Sequence, residues 1–385
     1  MDRHLTQKQK MKIINELKLD FDDVLIKPKR STLSSRSEVS LTRDFHFKHS
    51  PRLISATPVI VANMDTTGTF AMADTVCVQG GMVALHKHYK PEQLIEYYSN
   101  PTNNHKDLVF YSTGTSHNDI EKLTYVFNFL RDKGHYLPNV CVDVANGYSE
   151  KFVKTVAHIR KLYEDIVIMA GNVVTPEMVE ELILHGKVDI VKIGIGPGAV
   201  CTTRLKTGVG YGQISACLEC SDAAHGHGGH ICGDGGCKHV GDICKVFGTG
   251  SDFVMCGNFF AGCDECEGDW QYEYQAGFGV ANAEPFWQPF DPETGGPKRK
   301  TQLKFYGMSS KEAMEKHNNG VANYRTSEGR CVMVPYKGPV SDVLLDIFGG
   351  LRSACTYIGA SKIKDFGKKT TFIMVNNTHT KTYDK

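Results

Sequence analysis

Ile193-Gly194-Ile195-Gly196-Pro197-Gly198-Ala199-Val200-Cys201-Thr202-Thr203-Arg204 is the stretch from which the fold is read. It leaves an apolar run, Asp189 to Ile195, whose crowded β-branched residues between turn residues read as a buried strand. Glycines and a proline then stop the strand and force a tight loop whose backbone can approach a ligand or an ion. The loop ends in a cysteine, two hydroxyls and a guanidinium. A thiol there, beside Arg204 and unpaired amides, has what is needed to lower its pKa and act as a nucleophile. The alternative reading is a small buried hydrophobe.

Outward from this stretch the same habit repeats: an apolar run ends in small or polar residues, and a helical pattern follows. The runs are Pro58 to Asn63, Met82 to His86, Leu108 to Gly114, Val140 to Asn146, Ile166 to Gly171, Asp189 to Gly196, His230 to Gly236 and Phe253 to Phe260. Their spacing suits parallel βαβ crossovers. One crossover helix is legible residue by residue, with Thr175 as N-cap, Pro176 opening the first turn and Gly186 as the stop. Eight such units in series predict an α/β fold, a (β/α)8 TIM barrel, whose active site lies at the carboxyl ends of the strands.

The rest of the chain is expected to decorate a single barrel domain spanning 1–385. Residues 1–50, with the amphipathic Leu17 to Ile26, read as an N-terminal arm on the outside of the core. Residues 268–302 hold Trp270, Trp287 and several prolines without a sustained period, and read as an insertion. Residues 303–335 read as a flap, followed by a helix from Val340 to Ile347 that Gly349-Gly350 would end.

Lys and Arg total 44 against 43 Asp and Glu. That balance offers no field for nucleic acid, and no apolar window is long enough for a membrane span. A start without an apolar leader and an odd count of 13 cysteines point to a cytoplasmic protein with reduced thiols. Cys217-x-x-Cys220, Cys263-x-x-Cys266, Cys232, Cys237, Cys244, His225, His227 and His230 have metal-like spacings, against which core thiols are the default.

Six segments carry a resemblance: Ala62 to Asp65, His86 to Tyr89, Asp143 to Glu150, Ala170 to Thr175, Gly194 to Arg204, and Leu351 to Tyr357. In this order they resemble the guanosine monophosphate reductases, in the superfamily shared with inosine monophosphate dehydrogenases. The absence of a regulatory insert between the second and third strands, and a flap-like Arg325 to Gly329, favour the reductase side. The resemblance implies NADPH-dependent reductive deamination of GMP to IMP and ammonia. Cys201 would be the nucleophile forming a covalent thioimidate, Thr203 and Glu328 a proton relay, and Lys87 a group beside the nicotinamide. Read singly, Thr203 could satisfy loop amides, Glu328 could be a solvated flap residue and Lys87 a surface cation.

The resemblance further implies purine nucleotide contacts at Asp234, Gly235, Gly236, Gly257, Asn258, Gly307, Met308 and Ser309, and at Arg325, Thr326, Ser327, Glu328 and Gly329. Cofactor contacts would come from Ser35, Arg36, Lys87, Asp143, Val144, Ala145, Ile195, Gly196, Met308, Tyr324, Arg325, Ser353, Ala354, Cys355 and Thr356. Because Ser35 and Arg36 belong to the arm, some of these are expected to cross a subunit boundary in a homo-oligomer, with a tetramer as the expected state. Gly196, Gly198, Cys201 and Arg204 resemble a loop for a monovalent cation, potassium. Departures from the family pattern are Gly212 for a usual proline, Lys238 for a small hydroxyl residue and Asn258 for a glycine. The rivals are a dehydrogenase lacking its regulatory domain and a catalytically silent nucleotide- or zinc-binding scaffold.

Overall fold

The computed structural model describes residues 13–274, 298–318 and 326–376. Each of the eight apolar runs overlaps one strand of a closed parallel barrel, although two strands overrun, one starting at Asn139 and one continuing to Val173. The strands are β1 (Val59–Val61), β2 (Met82–Ala84), β3 (Val109–Thr113), β4 (Asn139–Asp143), β5 (Ile168–Val173), β6 (Ile190–Ile193), β7 (His230–Asp234) and β8 (Phe253–Cys256). Each pairs with its sequence neighbours, and β8 closes on β1 in the register Val254 to Val59 and Cys256 to Val61. Nearly every strand side chain is buried, because the strands face packed interior on one side and helices on the other. Helix Pro176–Leu184 starts on Thr175 with Pro176 in its first turn, as its residues dictate.

The amino end of the barrel is plugged by an antiparallel hairpin, Arg43–His46 with Leu53–Ala56. Phe45 stacks on Phe253 with ring centroids 4.2 Å apart. Arg43, His225 and His230 surround the Asp252 carboxylate: Arg43 Nη2 donates to Oδ1 at 2.7 Å, and His225 Nε2 lies 2.9 Å from Oδ2. These contacts give two of the clustered histidines a structural occupation.

Three expectations are corrected. The arm does more than lie on the outside. Its Val24–Ile26 strand pairs antiparallel with Phe372–Met374, its Asp20 bonds Arg204 at the end of the Cys201 loop, and its Phe21 packs against Gly236 after β7. The helix from Val340 does not stop at Gly349-Gly350 but runs on to Ile358. Gly350 acts there as a packing residue, since a Cβ on it would come within 2.4 Å of Val240 Cγ1. Finally, the expected insertion begins and ends in strands: Trp270–Tyr274 pairs with Lys298–Tyr306, which pairs with Cys331–Pro335 to make a three-stranded antiparallel sheet. Trp-Gln-Tyr-Glu-Tyr does alternate, and the proline-rich residues after it obscured that period. Residues 275–297, which include Trp287, lie outside the described residues. Among the described residues no helix is long and apolar enough to cross a membrane.

Candidate active site

The loop after β6 turns at Gly194 and Gly196, whose φ values of +152° and +80° suit glycine. A Cβ at Gly194 would lie 2.2 Å from the Asp234 carbonyl, so the loop can pass the end of β7 only without one. The loop delivers Cys201, half-buried, to the mouth of the barrel. Thr203 opens the short helix Thr203–Thr207, and its hydroxyl lies 3.2 Å from Cys201 Sγ. The same hydroxyl donates to Glu328 Oε2 at 2.7 Å, from a segment 125 residues further along the chain.

Backbone pairing fixes this meeting. Thr202 N–H donates to the Glu328 carbonyl at 2.7 Å, and Cys201 and Gly329 form an antiparallel bridge. Arg330 donates from Nε and Nη2 to the Ala199 carbonyl at 3.0 and 2.7 Å. Ser327 Oγ donates to the Gly329 carbonyl at 3.0 Å, and Glu328 N–H to the Ser309 carbonyl at 3.0 Å. Residues 307–310 and 326–330 are thereby clamped over the thiol, with Gly329 where no Cβ fits: one there would meet Ser310 N at 2.7 Å. The arrangement is a thiol, a hydroxyl and a carboxylate in hydrogen-bond sequence, which can move a proton toward or away from a group bound at sulfur.

The expected role of Arg204 beside the thiol is corrected. Its guanidinium donates to Asp20 Oδ2 at 2.7 Å and to the Tyr211 carbonyl, so it ties the loop to the arm. An aliphatic stem packed on Gly196 and Gly210 explains the orientation, since a Cβ at either glycine would come within 2.7 Å of Arg204 Cγ.

Around the rim, Asp234 ends β7 and Gly235 and Gly236 follow it, with φ of +87° and +90° at the two glycines. Gly257 and Asn258 follow β8, and Gly307, Met308 and Ser309 follow the long flap strand. Lys87 follows β2, with Nζ 3.9 Å from Asp119 Oδ1. Asp143 ends β4, Val144 and Ala145 follow it, and Ile195 follows β6. Arg36 lies in a surface groove shared with Asp342, Asp346, Arg352 and Ser353 of the helix Val340–Ile358. The groove brings together Arg36 and Ser353, one residue from each of two segments that the sequence separately suggested for cofactor contacts. Thr326 is the first described residue of the flap return; Tyr324 and Arg325 lie outside the described residues.

Lys192 was not foreseen. It lies on β6, its side chain 2% exposed, and its ammonium bonds the Asp143 carboxylate and lies 3.2 Å from Asp234 Oδ2. Burial opposes its charge, but the two carboxylates outweigh burial and hold its pKa well above the ordinary lysine value. Burial likewise opposes ionisation of Asp143, and Lys192 reverses that to hold the carboxyl below its usual range. Asn172 donates from Nδ2 to Asp234 Oδ2 at 2.9 Å. The available signal was one charged residue inside the apolar run Ile190-Val191-Lys192-Ile193.

All thirteen cysteines are free, and burial raises most of the thiol pKa values, that of Cys217 to about 12 and that of Cys266 to about 11. Among the described residues the one convergent trio of possible metal ligands is Asp65, His88 and His317, which contains no cysteine and none of the spaced histidines.

A model of the IMP dehydrogenase / GMP reductase domain matches residues 18–279 and 296–382. The match thus omits only 280–295 of the insertion expected at 268–302. Proteins named GMP reductase from Aliivibrio fischeri and Vibrio cholerae are 50% identical to the chain over 375 residues, covering 97% of it and 100% of each relative. One from Aeromonas hydrophila is 51% identical over the same length and coverage. Fold, site and likeness agree, and the chain belongs to the IMP dehydrogenase / GMP reductase family.

Proposed function

We propose that the protein reduces GMP to IMP and ammonia with NADPH, through a thioimidate on Cys201. The observation that carries this reading is the continuous contact from Cys201 through Thr203 to Glu328. Carbon 2 of guanine is amidine-like, so a thiolate can add there; the carbon–nitrogen bond then breaks if the amine is protonated. Thr203 is placed between thiol and carboxylate, so it can pass a proton from Glu328 to the departing ammonia, and each proton-transfer element of this kind contributes about 10²- to 10⁴-fold. A dinucleotide held at the rim would supply hydride to carbon 2, and the carbon–sulfur bond would break with its electron pair leaving on the Cys201 thiolate. Lys87, at the rim after β2 and near Asp119, is suited to orient the nicotinamide.

The residues present fit both nucleotides. At Gly236 a Cβ would meet Phe21 and Pro197, so the turn offers bare backbone amides at a strand end of the kind barrels use for phosphate. Asp234, held by Asn172 and Lys192, is available to accept from ribose hydroxyls. The shared groove of Arg36 and Ser353 supports a cofactor end held away from the mouth, and with it a homo-oligomer in which one subunit's arm serves another's site. The Gly196 and Gly198 carbonyls offer hard oxygen donors that fit potassium, although the Gly198 and Arg204 carbonyls also accept N–H groups of Cys201 and Gly208.

Mass spectrometry of the protein with GMP alone tests the reading. A nucleotide adduct on Cys201 with release of ammonia is expected, and neither should appear in Cys201→Ala. Adduct formation with IMP only when NAD is present would point instead to the dehydrogenase reaction.

A further inference from the structure

A second group of side chains at the barrel rim takes no part in the thiol relay. Asp65 follows β1, His88 follows β2, and His317 lies on the helix Lys311–Asn318 that leads toward the flap return. One ligand-capable atom from each lies within 4.8 Å of the others. Asp65 is 5% exposed. Its Oδ2 contacts His317 Nε2 and accepts from Tyr306 OH at 3.1 Å, with Lys316 Nζ at 3.7 Å. Its Oδ1 has no hydrogen-bond partner, and neither has His88 Nε2, although the two face each other at 3.7 Å.

Two buried polar atoms left facing one another are costly unless something sits between them. The His88 and His317 rings lie nearly parallel, with centroids 3.4 Å apart and 7° between planes, so one ring must tilt for both Nε2 lone pairs to meet at a single ion beside the carboxylate. Ligand atoms around a tetrahedral zinc stand roughly 3.3 Å apart, given bonds of about 2.0–2.1 Å. The Asp65 Oδ1 to His88 Nε2 separation of 3.7 Å is close to that, whereas the direct contact of Asp65 Oδ2 with His317 Nε2 must open to admit the ion. Two imidazoles and one carboxylate form the donor set of zinc and its neighbours, whereas calcium and magnesium prefer oxygen alone.

We propose that Asp65, His88 and His317 bind a zinc-class divalent cation through one carboxylate oxygen and the two Nε2 atoms, leaving a fourth position for water. Tyr306 OH orients the carboxylate, as groups behind a metal's own ligands do. Lys316, on a half-exposed side chain, balances the carboxylate while the metal is absent and swings into water when it binds. Because His317 rides on the flap-side helix and Asp65 and His88 on the barrel, the cation clips one to the other.

The test uses the full chain, freed of metal by a chelator, then titrated with zinc chloride by calorimetry and with cobalt(II) by visible absorption. One equivalent should bind, with d–d bands typical of four-coordinate nitrogen and oxygen donors and no thiolate-to-cobalt charge-transfer band. His317→Ala should weaken binding by at least about tenfold, and Tyr306→Phe by a smaller factor. Should His317→Ala fail to fold, His88→Gln carries the same expectation. Equal affinity in wild type and variant, a thiolate charge-transfer band, or no binding would each overturn the site.

Discussion

Thr203 donates its one hydroxyl proton to Glu328 and faces the Cys201 sulfur with its lone pairs, so the direction of proton flow is set by whichever partner is ionised. Replacing the carboxylate by an amide keeps the shape and removes the proton source. Glu328→Gln should therefore lower kcat by about 10²-fold or more with little change in melting temperature, and slow ammonia release in a single turnover with GMP. The sulfur and the hydroxyl were legible because they stand two residues apart after a glycine-rich turn. Their link to Glu328 rested on family resemblance, since no local pattern can reveal a contact across 125 residues. Lys192 escaped for a related reason: in an apolar strand a single lysine looks like an interruption until its two carboxylate partners, on β4 and β7, come into view.

The flap return behaves as a strand laid on the catalytic loop. Its position depends on Gly329, which bridges Cys201 and has Ser310 directly behind it. Gly329→Ala would have to push the two backbones apart, carrying Glu328 away from Thr203. A fall in kcat of on the order of tenfold or more is expected while thermal stability changes by less than about 1 kcal/mol, because a shift near 1 Å is enough to disturb a proton relay but few buried contacts are lost. Stopped-flow turnover and calorimetric melting measure the two effects separately. At this scale the sequence was most readable where one signal acted alone, as in Thr175-Pro176. It misled where one residue type serves two ends: Gly349-Gly350 read as a helix stop, yet Gly350 lets the helix press against Val240.

The barrel as a whole is fastened at its amino end by the cluster around Asp252. Burial alone would raise the pKa of this carboxyl, but His225, His230 and Arg43 outweigh burial and hold it far below the ordinary range. A depressed carboxyl contributes stability that is present above its unfolded value of about 3.9 and is lost as pH falls below it. His225 is shifted the other way, raised chiefly by its bond to Asp252, so its contribution is present below the unfolded histidine value and fades as pH rises through the folded one. Asp252→Asn should cost about 3 kcal/mol at neutral pH by leaving Arg43 underpaired, and its urea midpoint should fall less on acidification than that of the wild type. The eightfold architecture was written plainly in the apolar runs, whereas the fastening was not, because its members come from the arm hairpin, a helix and two strand ends.

Val24–Ile26 and Phe372–Met374 run in opposite directions, side by side. A pull on the outer ends of these two segments, at Val24 and Met374, would peel their hydrogen bonds apart one after another, like a zipper, before any load reached the ring of strands. Between these two residues the molecule therefore has a built-in mechanical fuse, which yields one bond at a time.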